Sequence, residues 1–271
     1  MAILIDPPRW PAHGTVFSHL VSDTSLEELH AFAAAAGVPT RAFDHDHYDV
    51  AMRRYDDLVA RGAEEVSANN LVRRLVASGL RVRASARTRK RHEVIPWLER
   101  AWATLLPDQH WLGEELLLRW AEPHRHYHDV RHLGQCLDAL NIIAADEPVT
   151  DAVRLAAWFH DAVYDGNPGV DEEASAELAE QLLPQAGIED STVAEVARLV
   201  RLTVQHAPEP DDRTGAQLID ADLSILAESR ARYDYYVREV RLDYEHVPDD
   251  DFRRGRLAVL DHLLGLEPLF H

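Results

Sequence analysis

The sequence predicts an α+β protein, in which a small α/β N-terminal domain is followed by an all-α domain. Up to about residue 80, short apolar runs alternate with helical patterns, whereas strand-like alternation is absent beyond residue 92. The length of 271 residues also suits two domains of ordinary size. We therefore expect domains over 1–80 and 93–271, joined by a linker over 81–92.

The first domain begins with an apolar run over 2–6 that stops at a Pro-Pro pair, which predicts a strand ending in a loop. A helix is predicted over 22–37, because Thr24 or Ser25 can cap its start and Gly37 can close it before a proline. The later predictions, in chain order, are a strand over 40–44, a helix over 50–61, a strand over 63–67 and a helix over 68–78.

The stretch RVRASARTRKR, residues 81–91, has six basic residues and no acidic one. Such a run can contact nucleic acid, but at a domain boundary it is more often a solvated linker, which is the interpretation favoured here. Everything after it has the helical period, punctuated by Asn, Asp, Gly and Pro. The predicted helices are 93–105, 111–121, 126–145, 150–164, 171–183, 191–206, 215–228, 229–246 and 250–265.

The charge is unevenly divided along the chain. Residues 1–92 have 13 Lys+Arg and 11 Asp+Glu, whereas the remaining 15 basic and 36 acidic residues give the second part a charge of −21. So acidic a domain should repel a nucleic-acid backbone, which leaves small phosphorylated molecules as candidate ligands. The chain has a single cysteine, and we find no signal peptide and no apolar stretch near the roughly 20 residues that a membrane span needs. We therefore expect a cytoplasmic protein without membrane attachment. The oligomeric state is not predicted.

Three separate segments of the second domain carry residues that can bind a metal ion. His160 and Asp161 follow an apolar run, and burying this pair without a partner would be costly. Upstream, His128 and His132 lie one helical turn apart and therefore point the same way. Downstream, the segment IDADLSIL offers Asp220 and Asp222. A mixture of imidazoles and carboxylates suits Mn, Fe, Co, Ni or Zn, as one or two ions.

The order His, His-Asp, Asp on a helical chain resembles the HD superfamily of metal-dependent phosphohydrolases. The resemblance implies metal ligands at His132, His160, Asp161 and Asp222, with Asp222 preferred over Asp220 because it follows alanine in ADLS. The YHxxxH pattern at 127–132 is also similar to that of cyclic nucleotide phosphodiesterases, relatives in which the first His is the proton donor. Carried over, this makes His128 the general acid.

A closer resemblance, over about 93–271, is to a bacterial family of predicted HD phosphohydrolases. It rests on EPHRHYHDVRHL, AAWFHDAVYD, EEASAELA, LTVQHAP, IDADLSIL, YDYYVREVRLDYEHVPD and GRLAVL. Asp129 departs from the pattern, which commonly has Asn there, and a carboxylate so close to His128 would raise the pKa of the proposed acid.

Further residues near these motifs have candidate roles, some of them with alternatives. Arg125 is a candidate phosphate clamp or part of a helix-capping ion pair. His206 is a candidate ligand of a second metal, a substrate contact or a cation at a helix C-terminus. Glu172 is a candidate for orienting a ligand or water, and Asp220 is a further substrate candidate. Cys136 lies one turn beyond His132 but is interpreted as a small buried hydrophobe. The tyrosines of the last motif, Tyr233, Tyr235, Tyr236 and Tyr244, are interpreted as helix packing.

The N-terminal domain has its own resemblance. IDPPRWPAHG, FSHLVSDTSLEELHAFA and FDHDHYDV look like the opening of a bacterial family of unknown function, over about residues 1–83. The polar residues of these motifs could converge on a phosphate or metal, or they could simply cap loops, and the second interpretation is preferred. They are His13, His19, Asp23, His47 and Asp49.

These observations predict a metal-dependent phosphohydrolase that acts on a small phosphate ester, for which a nucleotide is one candidate. Asp161 would take part in catalysis through the metal, Arg125 would offset phosphoryl charge, and His128 would protonate the leaving oxygen. The alternative is a metal- or nucleotide-binding regulatory module that keeps HD geometry without turnover. A third possibility places the activity in the N-terminal domain, with the basic stretch guiding nucleic acid.

Overall fold

The computed structural model describes residues 2–12, 14–82 and 87–271. His13 and residues 83–86 of the basic stretch, on which two of the predictions rest, lie outside the described residues. The chain divides into two compact units, Met1–Arg87 and Thr88–His271, called here the N-terminal and C-terminal units. The first is a small α/β fold and the second is helical, which confirms the predicted α+β class.

The N-terminal unit is built on one mixed sheet. Its strands are β1 (Ile3–Ile5), β2 (Trp10–Ala12), β3 (Thr15–Ser22), β4 (Phe43–Asp44), β5 (His47–Ala51) and β6 (Glu64–Glu65). The order is β4-β5-β3-β1-β6, with β2 also paired to β3, and the β1–β6 pair is parallel whereas the other pairs are antiparallel. The helices are α1 (Leu26–Ala36), α2 (Tyr55–Ala60) and α3 (Ala68–Ala77).

The predicted helix 22–37 is confirmed as α1, and its ends have the expected causes. The Ser25 side chain accepts a hydrogen bond from the Glu28 backbone N–H, and Gly37 has the left-handed φ of 70° that closes a helix. The predicted helix 50–61 begins later, at Tyr55, because residues 48–51 pair with β3. The central strand β3 was not predicted as a strand.

The two faces of the sheet are covered differently. Leu20, Tyr48 and Val50 pack on the α1 side, in a cluster that also contains Leu29. Because side chains alternate across a strand, the neighbours of these residues in β3 and β5 point to the opposite face. On that face, Val21 packs with residues of α3. The sheet is therefore buried over its central part on both faces, and it holds the polar residues of β3 and β5 in register.

Within residues 88–271, all of which the structure describes, there are nine α-helices and no strand. They are α4 (Arg91–Leu105), α5 (His110–Trp120), α6 (Val130–Ile143), α7 (Asp151–Phe159), α8 (Asp171–Leu182), α9 (Asp190–Leu202), α10 (Arg213–Asp222), α11 (Arg230–Asp243) and α12 (Asp249–Leu264). Each corresponds to one of the predicted helical windows. Among the described residues, no helix is both long and apolar enough to cross a bilayer.

The core of the C-terminal unit is formed by residues of the seven helices from α4 to α10. Helix α7 packs against α9 and α10, and α6 packs against α10 and α4. The Trp120 indole N–H donates to the Trp158 carbonyl at 2.9 Å, which joins α5 to the end of α7, two residues before His160. This packing brings the start of α6, the end of α7 and the end of α10 to one place.

The described residues at the two ends of the basic stretch each make hydrogen bonds within their own unit. In the N-terminal unit, the buried Asp46 carboxylate accepts from the Val82 backbone N–H at 2.7 Å and from the Arg81 guanidinium at 3.1 Å. In the C-terminal unit, Arg91 is the first residue of α4 and donates from Nε to Asp129 at 2.6 Å.

Candidate metal centre

Four predicted ligands lie at the ends of three helices that the core packs together. His132 is in the first turn of α6, His160 ends α7 and is followed by Asp161, and Asp222 is the last residue of α10. The two histidines are only 2 % and 1 % exposed. The apolar residues beside them on α6 and α7 are also buried, so the helices cannot turn these side chains outward without exposing core residues.

The ligand atoms converge to within a few ångströms. His132 Nε2 lies 3.2 Å from His160 Nε2 and 3.1 Å from Asp222 Oδ1. Asp222 Oδ1 is 3.6 Å from His160 Nε2. Asp161 Oδ2 lies 3.4 Å from His160 Nε2 and 3.7 Å from His132 Nε2. Two donors that are each about 2.1 Å from one ion are roughly 3.0–3.4 Å apart in octahedral and tetrahedral geometry. The observed distances of 3.1–3.7 Å lie within or slightly above this range, which is compatible with a shared ion.

The hydrogen bonding of His160 also suits a metal ligand. Its Nδ1 lies 2.9 Å from the Ala157 carbonyl oxygen, which can only accept, so the ring proton is on Nδ1. The Nε2 atom, which faces the cluster, then has its lone pair free for a metal. The ligand atoms of four residues all lie within 4.8 Å of one another, so the cluster could hold a metal ion: His132, Cys136, His160 and Asp222.

Cys136 lies beside this set, on the same stripe of α6. Its Sγ is 3.7 Å from His132 Nε2, and the side chain is fully buried. Burial raises the pKa of the Cys136 thiol well above its usual value, and the nearby carboxylates raise it further. The thiol is thus protonated when no cation is nearby, as expected of a small buried hydrophobe, although its sulfur is within reach of an ion.

Asp222 has a second histidine partner, His206. The His206 Nε2 lies 3.1 Å from Asp222 Oδ2, and the residue has a positive φ of 50°, which turns the chain just after α9. Burial alone would raise the pKa of Asp222, but its hydrogen bonds with His132 and His206 outweigh this and lower it well below the ordinary value. Asp220 does not join the cluster, because its carboxylate accepts from the backbone N–H of His271.

The carboxylate that contacts His128 was not predicted from the sequence. His128 Nδ1 lies 2.7 Å from Oδ2 of Asp243, the last residue of α11. Asp129, expected to act on His128, instead caps α6 by accepting from the Arg131 backbone N–H at 2.7 Å. Burial would lower the pKa of His128, but the hydrogen bond with Asp243 and nearby carboxylate charges outweigh this and raise it. The segment RLDYEH was the available signal, but sequence spacing could not pair it with His128.

Arg125 is not on the cavity side. Its guanidinium is fully buried and donates to the Asp161 carbonyl at 2.6 Å, the Ala162 carbonyl at 3.2 Å and the Glu122 carboxylate at 3.0 Å. These bonds hold the loop after His160, and they occupy the donors that a phosphate would need. Its position therefore favours a structural role over the expected phosphate clamp.

The cluster opens into a cavity of about 620 Å³. On the polar side the cavity is lined by His128, His160, Asp161, Glu172, His206 and Asp222. Helices α11 and α12 supply an apolar wall that includes Val240, Phe252, Val259 and Leu263, together with the guanidinium-bearing Arg256. Glu172 accepts from the Gly169 backbone N–H at 2.5 Å, and burial raises the pKa of its carboxyl.

The predicted tyrosine packing has a geometric counterpart. Tyr236 packs edge-on against Tyr127 with ring centroids 4.6 Å apart, and its hydroxyl accepts from Arg256. Tyr244 also lines the cavity. The cavity is also lined by a cation that was not predicted from the sequence, Arg256 of the motif GRLAVL.

Comparison with known proteins assigns only the N-terminal part. Residues 3–78 match the family described as Protein of unknown function (DUF4031), in agreement with the resemblance noted for residues 1–83. No match to an HD-domain family was found. No curated protein and no solved structure matched the chain. The resemblance of residues 93–271 to HD phosphohydrolases therefore stays a prediction.

Proposed function

We propose that the C-terminal unit is a metal-dependent phosphohydrolase that acts on a small phosphate ester, such as a nucleotide. The observation that carries the proposal is the convergence of His132, His160, Asp161 and Asp222 at the polar end of a large cavity. The ligand chemistry favours Mn, Fe, Co, Ni or Zn. A bound divalent ion would lower the pKa of a water molecule and polarise the phosphoryl group.

His128 is the proposed general acid. Asp243 engages its Nδ1, which leaves Nε2 for proton transfer, and the imidazole lies on the cavity wall. The ring is also stacked on Tyr164 at a centroid distance of 4.3 Å, which limits its rotation. A histidine held in this way can donate a proton to the departing alkoxide, a contribution of typically 10²- to 10⁴-fold.

The remaining cavity wall supports a substrate with both an anionic and an apolar part. Arg256 replaces Arg125 in our proposal as the cation that offsets phosphoryl charge, because it lies on the cavity wall and is partly accessible. The apolar side chains of α11 and α12 provide a surface for a base or another apolar group. The acidity of this part of the chain argues against a long nucleic acid.

The first test compares Asp222→Asn with Asp220→Asn, two changes of the same kind on one helix. We expect Asp222→Asn to lower metal affinity at least 10- to 100-fold, because it removes charge from a ligand that lies next to the buried His132 and His160. Asp220→Asn should keep the metal, because its carboxylate binds the backbone of His271. Elemental analysis after dialysis measures the difference.

The second part of the test is a phosphate-release screen over nucleotides and sugar phosphates, with Mn²⁺, Fe²⁺, Co²⁺, Ni²⁺ and Zn²⁺. Activity that is present in the wild type and Asp220→Asn but absent from Asp222→Asn would support the phosphohydrolase. A retained metal with ligand binding but no product would favour the regulatory module. Equal metal content in all three proteins would contradict the proposed ligand set.

A further inference from the structure

A second cluster of metal-binding side chains lies in the N-terminal unit, apart from the centre described above. We propose that His19, His47 and Asp49 bind a divalent transition-metal ion of the Zn²⁺ or Fe²⁺ type. The family that matches this part of the chain is of unknown function, and this inference does not rest on the function proposed for the C-terminal unit.

The sheet places the three side chains on one face. His19 of β3 is directly opposite Asp49 of β5 in the antiparallel pair, and His47 precedes Asp49 by two residues on the same strand. Directly opposite residues have Cβ atoms about 4.5–5.5 Å apart, and residues two apart on a strand share a face. Strand register alone therefore brings the three together, opposite the face on which Leu20 and Tyr48 pack.

Each histidine is oriented by a buried carboxylate behind it. Asp6, which follows β1 and is 1 % exposed, has Oδ2 at 3.0 Å from His19 Nδ1. Asp46, which is fully buried, has Oδ1 at 2.7 Å from His47 Nδ1. A carboxylate accepts the Nδ1 proton and leaves Nε2 as the coordinating atom, which is the usual arrangement behind metal-binding histidines. The cluster contains two such pairs.

The distances between ligand atoms fit an ion better than direct hydrogen bonds. Asp49 Oδ1 lies 3.5 Å from His47 Nε2 and 3.9 Å from His19 Nε2, whereas a direct N–H···O bond spans about 2.7–3.2 Å. Two atoms that are each about 2.1 Å from an ion lie roughly 3.0 Å apart at right angles and 4.2 Å apart when opposite. All three ligand atoms lie within 4.8 Å of one another.

The ligand set also indicates the class of ion. Two imidazoles and one carboxylate suit a first-row transition metal and leave coordination positions open for water or a substrate. The Asp49 side chain is 46 % exposed, so solvent reaches the site, while His47 is 8 % exposed and fixed from behind. The arrangement is thus rigid on one side and open on the other.

The test measures Zn²⁺ binding to the full-length protein after removal of metal by chelator, by equilibrium dialysis at a buffered free Zn²⁺ concentration. The variants are Asp49→Asn and His19→Gln, with Asp56→Asn as a control that removes one exposed carboxylate from the same unit. Asp222→Asn and the Asp49→Asn/Asp222→Asn double variant separate this site from the C-terminal centre. Circular dichroism compares the folding of all variants.

We expect Asp49→Asn and His19→Gln each to bind about one equivalent of Zn²⁺ less than the wild type or Asp56→Asn. Asp222→Asn should keep that equivalent, and the double variant should lose it. If Asp49→Asn and His19→Gln both bind as much Zn²⁺ as the wild type, or if Asp222→Asn alone abolishes all binding, the proposal is wrong. A loss that depends on Asp222 but not on Asp49 would overturn this site and leave the C-terminal centre standing.

Discussion

Asp243 holds together the segment that carries His128, and Asp243→Asn is the sharpest test of that arrangement. The buried carboxylate accepts from the backbone N–H groups of His126, Tyr127 and His128 and interacts with His128 Nδ1. Three of these four contacts are to Oδ2 and one is to Oδ1. An asparagine can place its oxygen at the Oδ2 position, but its NH₂ group then faces the N–H of His126.

The expected loss follows from these contacts. One buried donor left without an acceptor costs about 1–3 kcal/mol, and the other three hydrogen bonds lose the contribution of the negative charge. We therefore expect Asp243→Asn to lower the free energy of unfolding by about 3 kcal/mol. For a unit of this size that corresponds to a melting temperature roughly 6–12 °C lower.

The assay is thermal unfolding followed by the helical circular dichroism signal, in which the C-terminal unit dominates. Glu245→Gln is the matched control, because it is the same kind of change at an exposed position two residues away. In a phosphate-release assay, Asp243→Asn should also lower kcat by about 10²-fold or more, since His128 loses the group that orients it. If Asp243→Asn and Glu245→Gln melt at the same temperature, the proposed role of the carboxylate is refuted.

Three further changes test other parts of the structure. Cys136→Ala should keep the bound metal and cost about 1 kcal/mol of stability, because the thiol acts as a buried hydrophobe; loss of the metal in elemental analysis would instead make the sulfur a ligand. Gly113→Ala should destabilise by about 2 kcal/mol, because its new methyl group would lie 2.4 Å from a ring carbon of Trp102. Gly255→Ala, at an exposed position of α12 where the new methyl group meets no atom within 4 Å, should stabilise by about 0.5–1 kcal/mol; denaturant unfolding that ranks the two variants the other way would be inconsistent with this packing. Asp23→Asn should cost about 1 kcal/mol of stability at pH 7, since a hydrogen bond from the Arg74 guanidinium of α3 lowers the pKa of Asp23 to about 2. This stabilisation is present above the ordinary pKa near 4 and is lost as the pH falls towards 2, so a difference in stability between wild type and variant that stays constant from pH 7 to pH 3 would argue against it.

The helical unit was predictable because its signals are local. Most of the nine helices bury one face, and the same periodicity that marks that face in the sequence predicts the helix. The N-cap of α1 was predictable for a similar reason, since the Ser25 side chain accepts a hydrogen bond from the backbone N–H of Glu28, only three residues away. Strands β3 and β5 were not predicted, because His19, His47 and Asp49 interrupt their apolar pattern. Their pairing also joins residues about 30 positions apart in the chain, which no local pattern shows.

The order of His132, His160-Asp161 and Asp222 along the chain was enough to nominate a metal centre, because apolar residues around each one predict burial and a buried charge needs a partner. Sequence spacing could not tell which carboxylate reaches His128, since Asp129 is adjacent in the chain while Asp243 arrives only when α11 packs across the segment. Nor could it show that Arg125 is turned toward backbone carbonyls and that Arg256 lies on the cavity wall. The sequence by itself determined the helices and the side chains that are candidate metal ligands, because both depend on neighbouring residues. Only the tertiary structure decided the partners of each side chain, because those contacts exist only once distant helices and strands have packed.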